Sequence, residues 1–168
     1  MTDRSLDPRR IVVGVGNRDR GDDAFGPTVC DRAAGLDPGV EVWIIEADPS
    51  VLAVRWRPDD RVVVVDAVVS GGGAAPGSVY EIDVGLTPGA VMTALHPTST
   101  HGLGVADAIM LADALGTKPH ELWVVGVEAD SFELDAPLAD SLAAVVDSVA
   151  ERALGLLAGC VDRNAERR

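Results

Sequence analysis

Residues 11–26 read IVVGVGNRDRGDDAFG. The stretch opens on a β-branched apolar run, Ile11–Val15, breaks at Gly16-Asn17, and meets two adjacent acids, Asp22 and Asp23, where a helical period begins at Ala24. Strand, tight turn and helix within so few residues is the opening unit of an α/β fold. The same alternation continues along the chain. Val40–Ile45, Arg61–Val65, Ser78–Ile82 and Leu122–Val127 read as further strands, several of them apolar on both faces, as central strands covered by helices are. Ala24–Ala34, Ser50–Trp56, Val105–Leu115 and Leu138–Leu157 read as helices. The last carries apolar residues at 138, 142, 145, 146, 149, 153, 156 and 157, with Pro137 in front of it and Asp135 as the expected N-cap. One connection is different. Ser70–Gly77 is too short and too rich in Gly, Ala and Pro for a crossover helix, so the fourth strand is expected to run antiparallel.

The expected architecture is a three-layer α/β/α sandwich around a five-stranded, mostly parallel sheet with one strand antiparallel. Its 168 residues fit a single domain, 1–168, with 1–10 and 159–168 expected as frayed tails. Residues 85–104 show no clear period and carry two of the three histidines, His96 and His101.

Composition narrows the function classes. Hydrophobic residues make up 47% of the chain, which excludes disorder as its main state. With 27 acidic against 14 basic residues the net charge is −13, which disfavours nucleic acid and anionic membrane as partners. No apolar run reaches the 18 residues of a membrane span, and the start resembles no signal peptide, so a cytoplasmic location is expected. Cys30 and Cys160 lie far apart without a CxxC partner; Cys30 reads as a small apolar helix residue.

Ligands of open α/β sheets bind beyond the carboxyl ends of the strands. The residues there are Asn17, Asp22 and Asp23 after the first strand, Glu46 and Asp48 after the second, Asp66 after the third, and Glu128 and Asp130 after the fifth. Nearly all are carboxylates. A dinucleotide site fits poorly: GVG follows a strand, but the third glycine of the fingerprint falls on Asp19, and two acids occupy the helix N-terminus where phosphate-binding amides belong. Ser99, Thr100 and His101 adjoin, but no GxSxG elbow accompanies them. A metal site assembled from Asp23, Asp66 and His101 supplies two oxygens and one nitrogen with positions left open, a set suited to nickel or zinc. Each also has an ordinary reading: Asp22 or Asp23 as a helix cap, Asp66 at a strand end, His101 as a hydrogen-bonded loop residue. His120 reads as surface and His96 as a structural loop residue.

Gly14-Val15-Gly16-Asn17 with Asp22-Asp23-Ala24-Phe25-Gly26 resembles the signature of the hydrogenase maturation endopeptidases. Val63–Ala67 around Asp66, Pro76-Gly77-Ser78-Val79, Ser99–Gly104 around His101 and Val125–Glu128 follow in that family's order, and the resemblance runs from about Ile11 to Leu157. It implies an enzyme that removes the C-terminal extension of a nickel–iron hydrogenase large-subunit precursor once nickel is in place. It implies metal contacts and catalytic roles for Asp23, Asp66 and His101, with nickel carried by the substrate and no tightly bound cofactor in the protease. Asn17, Asp22, Glu46 and Asp48 are the candidate substrate contacts, and Ser70–Gly73 is expected to be a flexible loop near them. The precursor is then the partner. A monomer is expected, because no heptad or apolar stripe remains unassigned. The chain departs from the family after the second strand, where Glu46-Ala47-Asp48-Pro49-Ser50 replaces an acid followed by Gly-Gly-Thr. A non-catalytic hydrogenase assembly factor and a nucleotide-binding α/β enzyme are the alternatives.

Overall fold

A computed structural model describes residues 8–85 and 104–159. Five strands form one sheet: β1 (Arg10–Val15), β2 (Glu41–Ile45), β3 (Arg61–Val68), β4 (Val79–Asp83) and β5 (Glu121–Glu128). Their order is β2-β1-β3-β5-β4. All neighbours are parallel except β4 and β5, which pair antiparallel from Val79↔Val127 to Asp83↔Trp123. The short Gly/Ala/Pro connection therefore does what its length dictates, and it sends β4 to the sheet edge beyond β5.

Alternation along the central strands divides the core into two layers. Val12, Val63, Val65, Val125 and Val127 face α1 (Phe25–Leu36) and the C-terminal helix, packing on Phe25, Val29, Val149, Ala153 and Leu156. Ile11, Val13, Val62, Val64, Leu122 and Val124 face the opposite layer, which holds α2 (Leu52–Arg55) and α3 (Val105–Leu115) through Leu52, Ala53, Val105, Ile109 and Ala112. The central strands are apolar on both faces because both faces are covered. Each fully buried Val, Leu, Ile or Phe among these contributes about 1.5–3 kcal/mol.

Boundaries differ from expectation where long-range contacts decide. β1 starts at Arg10, and Arg9 donates to the buried Asp60 carboxylate at 2.8 and 2.6 Å, so these two residues of the expected tail are held in the fold. The expected helix Ser50–Trp56 is a 3-10 turn, Pro49–Val51, followed by the single turn α2. The last helix is two pieces, α4 (Asp140–Ala143) and α5 (Val146–Leu157). Asp135 is not its N-cap: it sits at φ 58°, and Ala139 occupies the cap position. Cys30 is buried in α1 as expected, and burial pushes its thiol up to about 12, which leaves it unreactive.

The N-terminus of α1 lies directly on the sheet. A Cβ at Gly14 would be 2.4 Å from the Gly26 carbonyl oxygen, and one at Gly26 would be 2.5 Å from the Val15 oxygen and 2.8 Å from that of Val65. Only two residues without side chains allow this approach. Gly14→Ala is expected to lower the unfolding free energy by about 3 kcal/mol, the upper end of overpacking costs. Gly155→Ala in α5, where a Cβ meets nothing within 4 Å, should instead gain up to about 1 kcal/mol from helix propensity. Urea denaturation of the two variants checks the contrast; equal effects would contradict the close approach.

Candidate active site

The strand order reverses between β1 and β3, since β2 lies on one side of β1 and β3 on the other. Such a switch point leaves a crevice at the carboxyl ends of the two strands. Asp23 and Asp66 stand there. Asp66 lies within β3 rather than after it, since the strand runs on to Val68, with Gly126 of β5 in register beside it. By alternation it shares a face with Val62 and Val64, the layer that holds α3.

Asp23 belongs to a 3-10 turn, Gly21–Ala24, that leads into α1. Neither acid of the pair caps that helix; the N-cap position is Ala24, with no side-chain bond. One Asp23 oxygen, Oδ2, accepts the Asn17 backbone N–H at 3.0 Å. The Asn17 side chain in turn accepts the N–H of Asp19 at 2.8 Å, so it shapes the turn after β1. Gly16 closes the same turn at φ 133°, and its N–H bonds the Ile45 carbonyl at 2.9 Å, which links the β1 end to the β2 end. A Cβ at Gly16 would overlap the Asp23 carbonyl at 2.0 Å, so this glycine is needed to bring Asp23 over the rim.

Asp66 senses the charge of Asp23. Burial, reinforced by the negative charge of Asp23, pushes Asp66 up to about 8, against the opposing pull of the Ala67 N–H. Near neutrality a proton therefore remains on Asp66, although its neighbours leave it half-buried rather than sealed off. A cation arriving between the two acids relieves their repulsion and displaces that proton.

The other expected residues divide. Glu46 and Asp48 are exposed and, with Arg18, Ile44, Ile45, Ala47 and Val51, line an open depression of about 440 Å³ at the end of β2. The Asp48 carboxylate accepts the Ser50 N–H at 2.9 Å, which holds it below the usual carboxylate range. Arg18 forms a bidentate pair with Asp31 at 2.7 and 2.9 Å. Asp22, expected among the substrate contacts, points inward: it is 1% exposed, and its oxygens accept the backbone N–H groups of Asp130, Ser131 and Ala139. Glu128, 5% exposed at the end of β5, accepts the Ser70 N–H at 3.1 Å and the Tyr80 hydroxyl at 3.2 Å, so it anchors the start of the Ser70–Gly73 loop. This anchoring role was not legible beforehand. Its partners lie 58 and 48 residues away, and no spacing rule joins them. His96 and His101 lie outside the described residues. His120 is exposed, as expected. Among the described residues, no three His, Cys, Asp or Glu side chains converge into a metal site, and no helix is long and apolar enough to cross a membrane.

The raised Asp66 carboxyl sets a sign for pH dependence. An unfolded Asp titrates near 3.9, so between about pH 4 and 8 the folded protein holds a proton that the unfolded chain has lost, and stability falls as pH rises through that window. Asp66→Asn removes this titration at constant shape. Its melting temperature is expected to gain on the wild type between pH 4 and pH 8.5, by at least about 3 °C, roughly 1 kcal/mol in a chain of this size. A Tm difference independent of pH would contradict the burial of this carboxyl.

Comparison with known proteins agrees with the fold. A family model described as HycI, hydrogenase maturation protease, matches residues 47–156, which include Asp66. The hydrogenase expression/formation protein HoxM of Azotobacter vinelandii is 28% identical over 175 residues, covering 95% of this chain and 80% of its own, and so takes in the N-terminal motif that the family model leaves out. Among solved structures, the hydrogenase maturating endopeptidase HybD from E. coli superposes with a TM-score of 0.75 at 26% identity, covering 90% of this chain and 93% of its own. The [NiFe] hydrogenase maturation protease HybD from Thermococcus kodakarensis gives 0.71 at 25% identity, over 89% and 99% of the two chains. The five-stranded sheet with one antiparallel edge is thus this family's architecture, and the resemblance carried by the motifs is borne out. Family model, relatives and fold agree that the chain is a peptidase belonging to the hydrogenase maturation protease family.

Proposed function

We propose that this protein removes the C-terminal extension of a nickel–iron hydrogenase large-subunit precursor after nickel has been inserted, and that it recognises the nickel carried by that substrate. The observation that supports the reading best is the pair of carboxylates, Asp23 and Asp66, at the β1/β3 switch point, where burial and mutual repulsion make two acids costly unless a cation joins them. Asp23 and Asp66 offer oxygen ligands and His101 a nitrogen ligand to nickel held in the precursor's own site. Incomplete coordination by the protease alone makes binding depend on the loaded precursor, so the maturation state of the substrate is read by direct contact. The nickel, or a water it activates, then polarises or attacks the scissile peptide. Glu46 and Asp48, which line the open depression at the end of β2, meet the flanking peptide in this reading. The protease brings no tightly bound cofactor, works in the cytoplasm and acts as a monomer in this reading.

A dinucleotide fits this rim poorly for a reason beyond the missing glycine. The amides that would hold a pyrophosphate are already engaged: Asp22 N–H donates to the Ser131 carbonyl and Asp23 N–H to that of Arg20, each at 3.0 Å.

Alanine replacement of Asp23, Asp66 and His101, each assayed on nickel-loaded precursor, tests the assignment. Every variant is expected to fold and to lose more than about 100-fold in cleavage rate, beyond the usual cost of replacing groups around a metal's direct ligands. Full cleavage by His101→Ala would overturn the three-ligand assignment.

A further inference from the structure

The adjacent acids of the Gly21-Asp22-Asp23 turn have opposite surroundings. Asp23 reaches the rim, whereas Asp22 turns into the protein. Its Oδ2 accepts the N–H of Asp130 at 2.8 Å and of Ser131 at 3.1 Å, and its Oδ1 accepts the N–H of Ala139 at 2.9 Å. Backbone bonds run along the same seam: Gly21 N–H to the Ala136 carbonyl at 3.1 Å, Asp22 N–H to that of Ser131 at 3.0 Å, and Asp135 N–H to that of Asp19 at 2.7 Å. The turn after β1 is thus sewn to the segment that leads from β5 into α4, more than 100 residues away in sequence. Carboxylates that accept several backbone N–H groups make strong, charge-assisted bonds, and nearly all of this carboxylate's capacity is spent inside the protein.

The seam also imposes unusual backbone. Gly21 sits at φ 55°, and a Cβ there would lie 2.8 Å from the Ser131 oxygen. Asp135, at φ 58°, is the one non-glycine residue with positive φ among the described residues. Such conformations persist where the surroundings over-determine them. No peptide substrate is needed to explain these contacts, yet they constrain the residue next to Asp22, which is the one that faces the crevice.

We infer that Asp22 is a positioning residue: by locking the 3-10 turn onto the Asp130–Ala139 segment it sets where Asp23 presents its carboxylate beside Asp66. The inference rests on the reading of Asp23 as a contact to substrate-borne metal. It assigns different work to two neighbouring acids, one holding the frame and the other meeting the substrate.

Two variants open the seam from different atoms. Asp22→Asn keeps the shape but turns one acceptor oxygen into an NH₂ group facing a backbone N–H. Gly21→Ala leaves the carboxylate intact and drives a Cβ against Ser131. Ala153→Gly in α5, a buried position away from the rim, supplies a comparably destabilised control. On nickel-loaded precursor, at a temperature where all are folded, Asp22→Asn and Gly21→Ala are expected to lower kcat about 10–100-fold, the range of outer-shell replacements. KM should stay within about threefold, and Ala153→Gly should keep the wild-type kcat. In nitrogen-15 NMR spectra the Asn17 amide, which bonds Asp23, should shift and lose hydrogen-exchange protection in the two seam variants only. A wild-type kcat with an unmoved Asn17 amide in either folded seam variant overturns the inference. If the wild type does not cleave the precursor, the proposed function fails, and the Asn17 amide alone decides: moved in the seam variants upholds the positioning role, unmoved rejects it.

Discussion

The contact of Gly26 with the backbones of Val15 and Val65 is the constraint from which the site is built. It brings the first turn of α1 onto the ends of β1 and β3 with no side chain between them. The loop from Gly16 to Ala24 then has to fold over the rim, because its two ends are held close to the sheet. Gly16 bends it, Asn17 closes the turn, and Asp23 is delivered beside Asp66. A larger residue at position 14 or 26 would lift the helix and carry Asp23 away with it.

With the frame set, electrostatics selects what can occupy the crevice. Two acids at a switch point, one of them raised to about 8 by burial and by its neighbour, disfavour anions and favour a divalent cation. The acid-rich composition alone could exclude nucleic acid but could not name a partner. Separating the acids by environment does more. Asp22 and Asp60 are buried within hydrogen-bonded or ion-paired structure, Glu128 holds a loop, Asp31 and Asp37 pair with arginines, and Asp23 and Asp66 are left facing the crevice. These two stand at the switch point of the sheet, where the fold binds ligands.

Much of this was legible before any coordinates, for local reasons. The β-branched runs marked the strands, the eight-residue Ser70–Gly77 connection marked β4 as antiparallel, and the glycines and acids of residues 14–26 marked the turn that carries Asp23. What was not legible depends on partners distant in sequence. Asp22, expected among the substrate contacts, is turned inward by the amides of residues 130, 131 and 139, which no local spacing joins to it. The same carboxylate bond to Ala139 places that residue at the cap of α4, so Asp135 is spent in the seam instead of starting a longer helix. Asp60 carries no motif at all: it accepts the nearby Arg57 N–H at 2.8 Å, but its shortest ion pair, at 2.6 Å, is with Arg9, 51 residues earlier.

In the proposed function, this protease cuts a precursor because that precursor already holds its metal. The direct measurement is the intact mass of a nickel–iron hydrogenase large-subunit precursor, incubated with and without this protein and with and without prior nickel loading. Loss of a C-terminal peptide only in the sample that contains both nickel and protein is the predicted result. Cleavage of the nickel-free precursor at the same rate would contradict the account.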